Sequence, residues 1–255
     1  MSQKPSLIIV PGAWQTPEYW GKVISAMEAK GFKCIPVTLP TSQSTSTEIN
    51  FSHDVKAISE AIESETSLGL DVVLLCHSLG GRSAESAMKG LTLKSDETNA
   101  KAGHVIGLVL IAAGFAREGI SFLDGLDGKV PPTVEADYEN NTISMKVDPI
   151  DLLYHDLPEE EAKQWVAKHT HFTLTSVSEG YEVVYEGWRD VPVWYIMTKD
   201  DRNFPFEAQK MLIRGAEKAG ADVTKREIES SHCPMLSRPD EVVGHLEEAI
   251  QAFTT

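Results

Sequence analysis

The chain has 255 residues, 42% of them hydrophobic, with 38 Asp and Glu against 23 Lys and Arg and a formal net charge of −15. That length suits one α/β domain carrying an insertion, and the apolar fraction is enough for a substantial core. A surface this acidic repels phosphate backbones and anionic lipid, which excludes nucleic acid and membrane surfaces as partners and favours a small molecule that is neutral and partly apolar.

Residues 1–6 are polar and run directly into an apolar strand predicted at 7–10, so no secretory leader is expected. Thr16-Pro17 reads as a helix start, with Thr as cap and Pro at the first helical position. Tyr19, Trp20, Val23, Ile24 and Met27 continue that helix at helical spacing, and Gly31 stops it. The pattern then predicts a strand over 32–37, a Ser/Thr-rich loop over 40–50 and a helix over 51–64. A strand at 71–76, a helix at 79–91, a polar connection at 92–103 and an apolar strand at 104–112 follow. Strands at 191–197 and 223–228, and helices at 205–220 and 239–253, complete the series. This alternation predicts an α/β domain, a mostly parallel twisted sheet flanked by helices.

Residues 117–190 break the rhythm. They hold Pro131-Pro132, an acidic helical stretch at 158–169 and scattered aromatics, but no convincing buried strand. The segment is too long for a bare loop in a compact domain. It is read as a mostly helical lid set between two sheet strands, which divides the chain into a core of residues 1–116 and 187–255 and a cap of 117–186. Lids of this kind exclude water from a site.

No apolar run reaches the ~20 residues that a membrane-spanning helix needs. The three cysteines, Cys34, Cys76 and Cys233, are odd in number and have no zinc-ligand spacing. Neither a disulfide framework, a metal nor a cofactor is expected. The reading is a cytoplasmic protein, and a homodimer is compatible with it.

The chemistry concentrates at Cys76-His77-Ser78-Leu79-Gly80-Gly81, between a predicted strand and a predicted helix. There Ser78 sits on a sharp turn with its hydroxyl raised above the sheet. The common form of this turn is G-x-S-x-G; here Cys76 takes the place of the first Gly. A nucleophilic serine needs a base, and His232 follows the last strand in Ser231-His232-Cys233-Pro234. His77 lies on the turn itself and is expected to point away from Ser78. His53, His155 and His245 fall on helical or acidic surfaces, and His169 and His171 fall in the lid. The base needs an acid, and Asp200 and Asp201 both follow the strand at 191–197. Two backbone N–H donors are needed for an oxyanion: Leu79, directly after the nucleophile, and Ala13, in the Pro11-Gly12-Ala13-Trp14 loop after the first strand. Trp14 and Phe115, with Trp165, Phe172 and Leu174 from the lid, are candidate pocket residues.

Four segments together resemble the α/β-hydrolase superfamily, and within it the small esterase branch of plant methyl esterases and hydroxynitrile lyases with their fungal and bacterial relatives. They are Val10-Pro11-Gly12-Ala13-Trp14, His77-Ser78-Leu79-Gly80-Gly81, the run from Tyr195 through Asp201 to Pro205, and the run from Ser231 through His232 to Pro239. The resemblance implies the eight-stranded α/β-hydrolase fold shortened at its N-terminus, and it selects Asp201 over Asp200 as the acid. It implies a serine hydrolase acting on an ester, thioester or lactone through Ser78, His232 and Asp201. The alternatives are a lyase or cyclase on the same fold in natural-product metabolism, or a non-catalytic ligand-binding member. Pro11 stands where plant members often have His. Lyases of this branch carry Thr near the oxyanion loop and Lys after the histidine, where this chain has Gly12 and Cys233. Without that cation, cyanide chemistry lacks a physical basis.

Overall fold

In strand β1 (Ser6–Val10) every residue is buried; Leu7 and Ile9 pack into one apolar cluster, Ile8 and Val10 into another. Successive side chains of a strand point to opposite faces, so this continuous apolar run belongs to a strand covered on both sides. The computed structural model describes residues 3–94 and 103–255. After β1 a single 3₁₀ turn (Pro17–Trp20) leads into α1 (Gly21–Ala29). Thr16 flanks that turn but makes no side-chain cap, contrary to the expected role, because the chain enters through the tighter turn rather than an α-helical one. Gly31 takes a left-handed φ of 79° and ends the element as expected.

The remaining core elements are β2 (Cys34–Pro36), α2 (Phe51–Thr66), β3 (Val72–His77), α3 (Gly80–Ala87) and β4 (Val105–Ile111). In α2, Asn50 and His53 form a reciprocal cap. Most of the polar connection predicted at 92–103 lies outside the described residues.

The insertion departs most from the sequence reading. It contains an antiparallel hairpin of β5 (Val134–Asp137) and β6 (Thr142–Met145), and only short helices: α4 (Pro149–Leu153), α5 (Glu159–Val166) and α6 (Thr175–Ser178). The expectation of a mostly helical segment without strands is therefore corrected. Each strand has four residues, too few for a period-2 pattern to stand out. The turn between them is set by Asp137, whose carboxylate accepts the Glu139 and Asn140 N–H groups, and by Asn141 at φ 52°.

The chain then returns through β7 (Val193–Thr198), α7 (Phe206–Lys218), β8 (Val223–Ile228), α8 (Pro234–Ser237) and α9 (Pro239–Phe253). Among the described residues the sheet has six strands in the order β2-β1-β3-β4-β7-β8, all parallel. A parallel sheet in this order with helices on both faces is the α/β-hydrolase fold expected from the sequence. Helices α1 and α9 cover one face through Val23, Met27, Leu246 and Ile250; α2, α3 and α7 cover the other through Val55, Ile58, Ala84 and Ile213. Among the described residues no helix is long and apolar enough to cross a membrane.

Candidate active site

The C-terminal ends of β1, β3, β7 and β8 carry the polar side chains that meet above the sheet. Open parallel sheets place ligand sites at this edge. Ser78 follows β3 directly and has φ 51°. A non-glycine residue in this region stores roughly 1–3 kcal/mol of strain. Its N–H donates to the Ile111 carbonyl, 3.0 Å, and its carbonyl accepts the Gly81 N–H, 3.1 Å, which holds the turn. A Cβ on Gly80 would lie 2.1 Å from the Pro11 carbonyl oxygen, and one on Gly81 would lie 2.9 Å from Ala113 Cβ. Glycine at these two positions lets the turn approach β1 and the helix approach β4. Cys76 is fully buried inside β3, between Val10 and Leu110 of the neighbouring strands. It is a packing residue one position before His77, and burial pushes its thiol pKa up.

His232 lies between β8 and α8. Its Nε2 is 3.1 Å from Ser78 Oγ, and its Nδ1 is 2.7 Å from Asp201 Oδ2. Ser231 anchors the loop by donating from its backbone N–H to Asp156 and from its hydroxyl to the Leu153 carbonyl. Asp201 is 6% exposed. Its Oδ2 also accepts the Thr198 hydroxyl at 2.8 Å, and its Oδ1 accepts the Asn203 and Phe204 N–H groups at 2.9 and 2.7 Å. Burial pushes this carboxyl up, but the His232 ring opposite it, the hydrogen bond from that ring, and those from the Phe204 N–H and Thr198 together hold it below its ordinary value. With Nδ1–H given to Asp201, Nε2 presents a lone pair to the Ser78 hydroxyl. Asp200 is exposed, and its N–H donates to the Ser230 carbonyl.

Ala13 and Leu79 both line the cavity above Ser78. Among the described residues neither of their N–H groups donates to another group. Trp14 adopts φ 60°, its indole donates to the Ile143 carbonyl at 3.0 Å, and its ring meets Phe172 edge-on at 5.1 Å. The loop after β1 is thereby tied to the hairpin of the insertion.

Three polar residues stand out at the site that the sequence did not single out for it. His77 does not point away: its ring lies 4.7 Å from that of His232, and its Nε2 donates to the His232 carbonyl at 2.8 Å. Burial, and then the neighbouring His232, push its pKa down to about 3, so it is a neutral, fixed donor. Gln15 is buried and touches three loops. Its Oε1 accepts the Gly12 N–H, its amide stands 3.1 Å from His77 Nδ1, and its Nε2 donates to Cys233 Sγ. Asn203 Nδ2 lies 3.3 Å from His232 Nε2. The only sequence signal for Gln15 is a lone polar residue beside an aromatic in a loop after a strand.

The cavity has a volume of about 490 Å³, and Ser78 and His232 are part of its wall. Trp14, Phe115 and Phe172 line it. Trp165 and Leu174 do not. Trp165 instead packs on Tyr19, centroids 4.8 Å apart, because the apolar side of α5 faces the core cluster under α1. Leu174 packs behind the cavity with Val134, Ile143 and Val177. Among the described residues no group of three or more His, Cys, Asp or Glu side chains could hold a metal ion.

The description of the alpha/beta hydrolase family matches residues 7–245 of this chain. A relative described as alpha/beta hydrolase nvfD, from Aspergillus novofumigatus, is 29% identical over 248 residues, covering 96% of each protein. Among solved structures, tomato methylketone synthase I in complex with 2-tridecanone superposes with a TM-score of 0.77 at 20% identity, covering 99% of this chain and all of that one. Polyneuridine aldehyde esterase superposes with a TM-score of 0.73 at 24% identity, covering 96% of this chain and 99% of that one. At these identities the two structures share the fold with this chain.

Proposed function

The chain belongs to the alpha/beta hydrolase family, and on that premise we propose that it is a serine hydrolase cleaving an ester, thioester or lactone of a small, largely apolar molecule. Ser78 Oγ attacks the acyl carbon and passes its proton to His232 Nε2. The acyl–oxygen or acyl–sulfur bond breaks, and the leaving group takes that proton. Water then repeats the sequence on the acyl-enzyme and restores Ser78. Asp201 holds the His232 ring and stabilises it when protonated. The N–H groups of Ala13 and Leu79 receive the oxyanion, each contributing roughly 3–4 kcal/mol in the transition state. Residues 117–186 act as the cap that keeps bulk water from the acyl-enzyme.

The observation that carries this reading is the continuous relay from Ser78 Oγ through His232 to the buried Asp201, at 3.1 and 2.7 Å. Ser78→Ala is expected to abolish turnover of short p-nitrophenyl esters and labelling by a fluorophosphonate, with circular dichroism unchanged. Turnover at the wild-type rate in that variant refutes the assignment.

A further inference from the structure

The net charge of −15 favours a neutral substrate, yet the wall of the cavity carries the opposite sign. Among the described residues Arg82 and Arg117 line it, and no Asp or Glu does. Arg82 projects from α3 one turn beyond Ser78 and is only 8% exposed. Its Nη2 donates to the Ile120 carbonyl at 2.7 Å, and its guanidinium lies 5.3 Å from the Tyr181 ring. Its Nε is buried and has no hydrogen-bond partner.

Arginines 189, 202, 226 and 238 each close an ion pair with a carboxylate. Among the described residues Arg82, Arg117 and Arg214 close none, and of these Arg82 and Arg117 line the cavity. Glu85, on the same helix, is fully buried and accepts the Ala116 N–H. Burial pushes its carboxyl pKa well above the ordinary range, and although its charge attracts Arg82, no ion pair joins the two among the described residues. Asp124 is exposed; its carboxylate accepts the Ser121 N–H at 3.0 Å and attracts Arg82 without closing an ion pair with it. A buried charge without a counter-charge is costly, and a guanidinium fork matches a carboxylate in both shape and charge. Arg82 lines the same cavity as Ser78 without a carboxylate partner, and the exposed Arg117 is a second cation on the wall.

Resting on the hydrolase reading above, we propose that the substrate carries a carboxylate, bound by Arg82 and Arg117, while its scissile acyl carbon lies over Ser78. A half-ester of a short dicarboxylic acid has this chemistry. Phe115, Phe122 and Phe172 then enclose the apolar remainder.

The test compares p-nitrophenyl hydrogen glutarate with its neutral methyl ester, p-nitrophenyl methyl glutarate, on wild type, Arg82→Gln and Arg117→Gln. Wild type favours the half-ester in kcat/KM, chiefly through KM. Each substitution lowers the ratio of the two kcat/KM values by roughly 10- to 100-fold, the worth of a hydrogen bond to a charged group. A merely structural loss lowers both substrates together; an unchanged ratio in both variants overturns the anion site and leaves the hydrolase reading standing. Because Arg117 is exposed, its variant keeps the test decisive even where Arg82→Gln fails to fold. If wild type cleaves neither ester, the hydrolase reading fails. Titration calorimetry with monomethyl glutarate then judges the site alone: binding weakened at least tenfold in Arg117→Gln supports it, and no binding to wild type overturns it.

Discussion

Gly80→Ala isolates the fit between the nucleophile turn and the loop that supplies one of the proposed oxyanion donors. A Cβ at position 80 would stand 2.1 Å from the Pro11 carbonyl oxygen and 3.0 Å from Val10 Cγ1. Non-bonded heavy atoms need well over 3 Å, so the two backbones must part by about 1 Å. Neither side yields easily, since Val10 is locked in β1 and paired to Cys76 of β3. The displacement falls on Pro11-Gly12-Ala13, which moves the Ala13 N–H from the point where the oxyanion develops. A misplacement of about 1 Å costs on the order of 100-fold in rate, and overpacking of this kind costs roughly 1–3 kcal/mol in stability. For a chain of this size that corresponds to a fall in Tm of roughly 2–12 °C. Steady-state kinetics on p-nitrophenyl butyrate at a temperature where the variant is fully folded separates the two effects. The expected result is a loss in kcat near 100-fold with KM changed little. A variant with wild-type kcat and a lowered Tm refutes the oxyanion-loop argument and leaves Gly80 a packing position only.

Two further outcomes follow from buried groups beside the site. Cys76→Gly restores the commoner turn sequence, but it empties a fully buried core position in β3; it is expected to cost roughly 1–3 kcal/mol by urea unfolding and to leave kcat within twofold, whereas a large change in kcat would make position 76 part of the chemistry. His77 is held neutral down to about pH 3 in the folded protein, while the unfolded chain takes up its proton near pH 6.5, so acidification from 6.5 toward 3 removes stability at up to about 1.4 kcal/mol per pH unit. His77→Gln is expected to flatten the stability profile between pH 7 and 5 relative to wild type, and parallel profiles for the two proteins would contradict it.

The core strands were legible because each is a short, doubly buried apolar run, and the nucleophile turn because Ser78-Leu79-Gly80-Gly81 follows such a run. The end of α1 was legible through Gly31, but its start was not, since Thr16-Pro17 opens a 3₁₀ turn as readily as an α-helix. The hairpin of β5 and β6 escaped because its strands are short, and because the turn depends on the side chain of Asp137 and a left-handed Asn141, neither of which carries a glycine signal. Trp165 was misplaced for a related reason. Whether an aromatic on an amphipathic helix faces a cavity or the core depends on how the helix docks, and Tyr19 decides that here. Asp201 and Asp200 are equivalent in local sequence; the fold separates them by burial.

On the proposed mechanism, the site's precision comes from residues that do not react. Ser78, His232 and Asp201 arise on three separate loops, and each loop tip has the conformational freedom of its few residues. Gln15 ties the loop after β1 to the His232 loop through Gly12 and Cys233, with its amide against His77, and His77 fixes the His232 backbone from the nucleophile turn. Asp201 is fixed in turn by Thr198 and two backbone N–H groups. Gln15, His77, Cys233 and Thr198 are buried, so none of them can exchange its partner for water without a cost of roughly 1–3 kcal/mol. The three loops are thereby tied to one another, with His232 Nε2 3.1 Å from Ser78 Oγ. On the proposed mechanism, binding energy from the cavity wall serves to orient the substrate. That division of labour makes the unpaired Arg82 informative: it is a charged group on the cavity wall that this internal network leaves out.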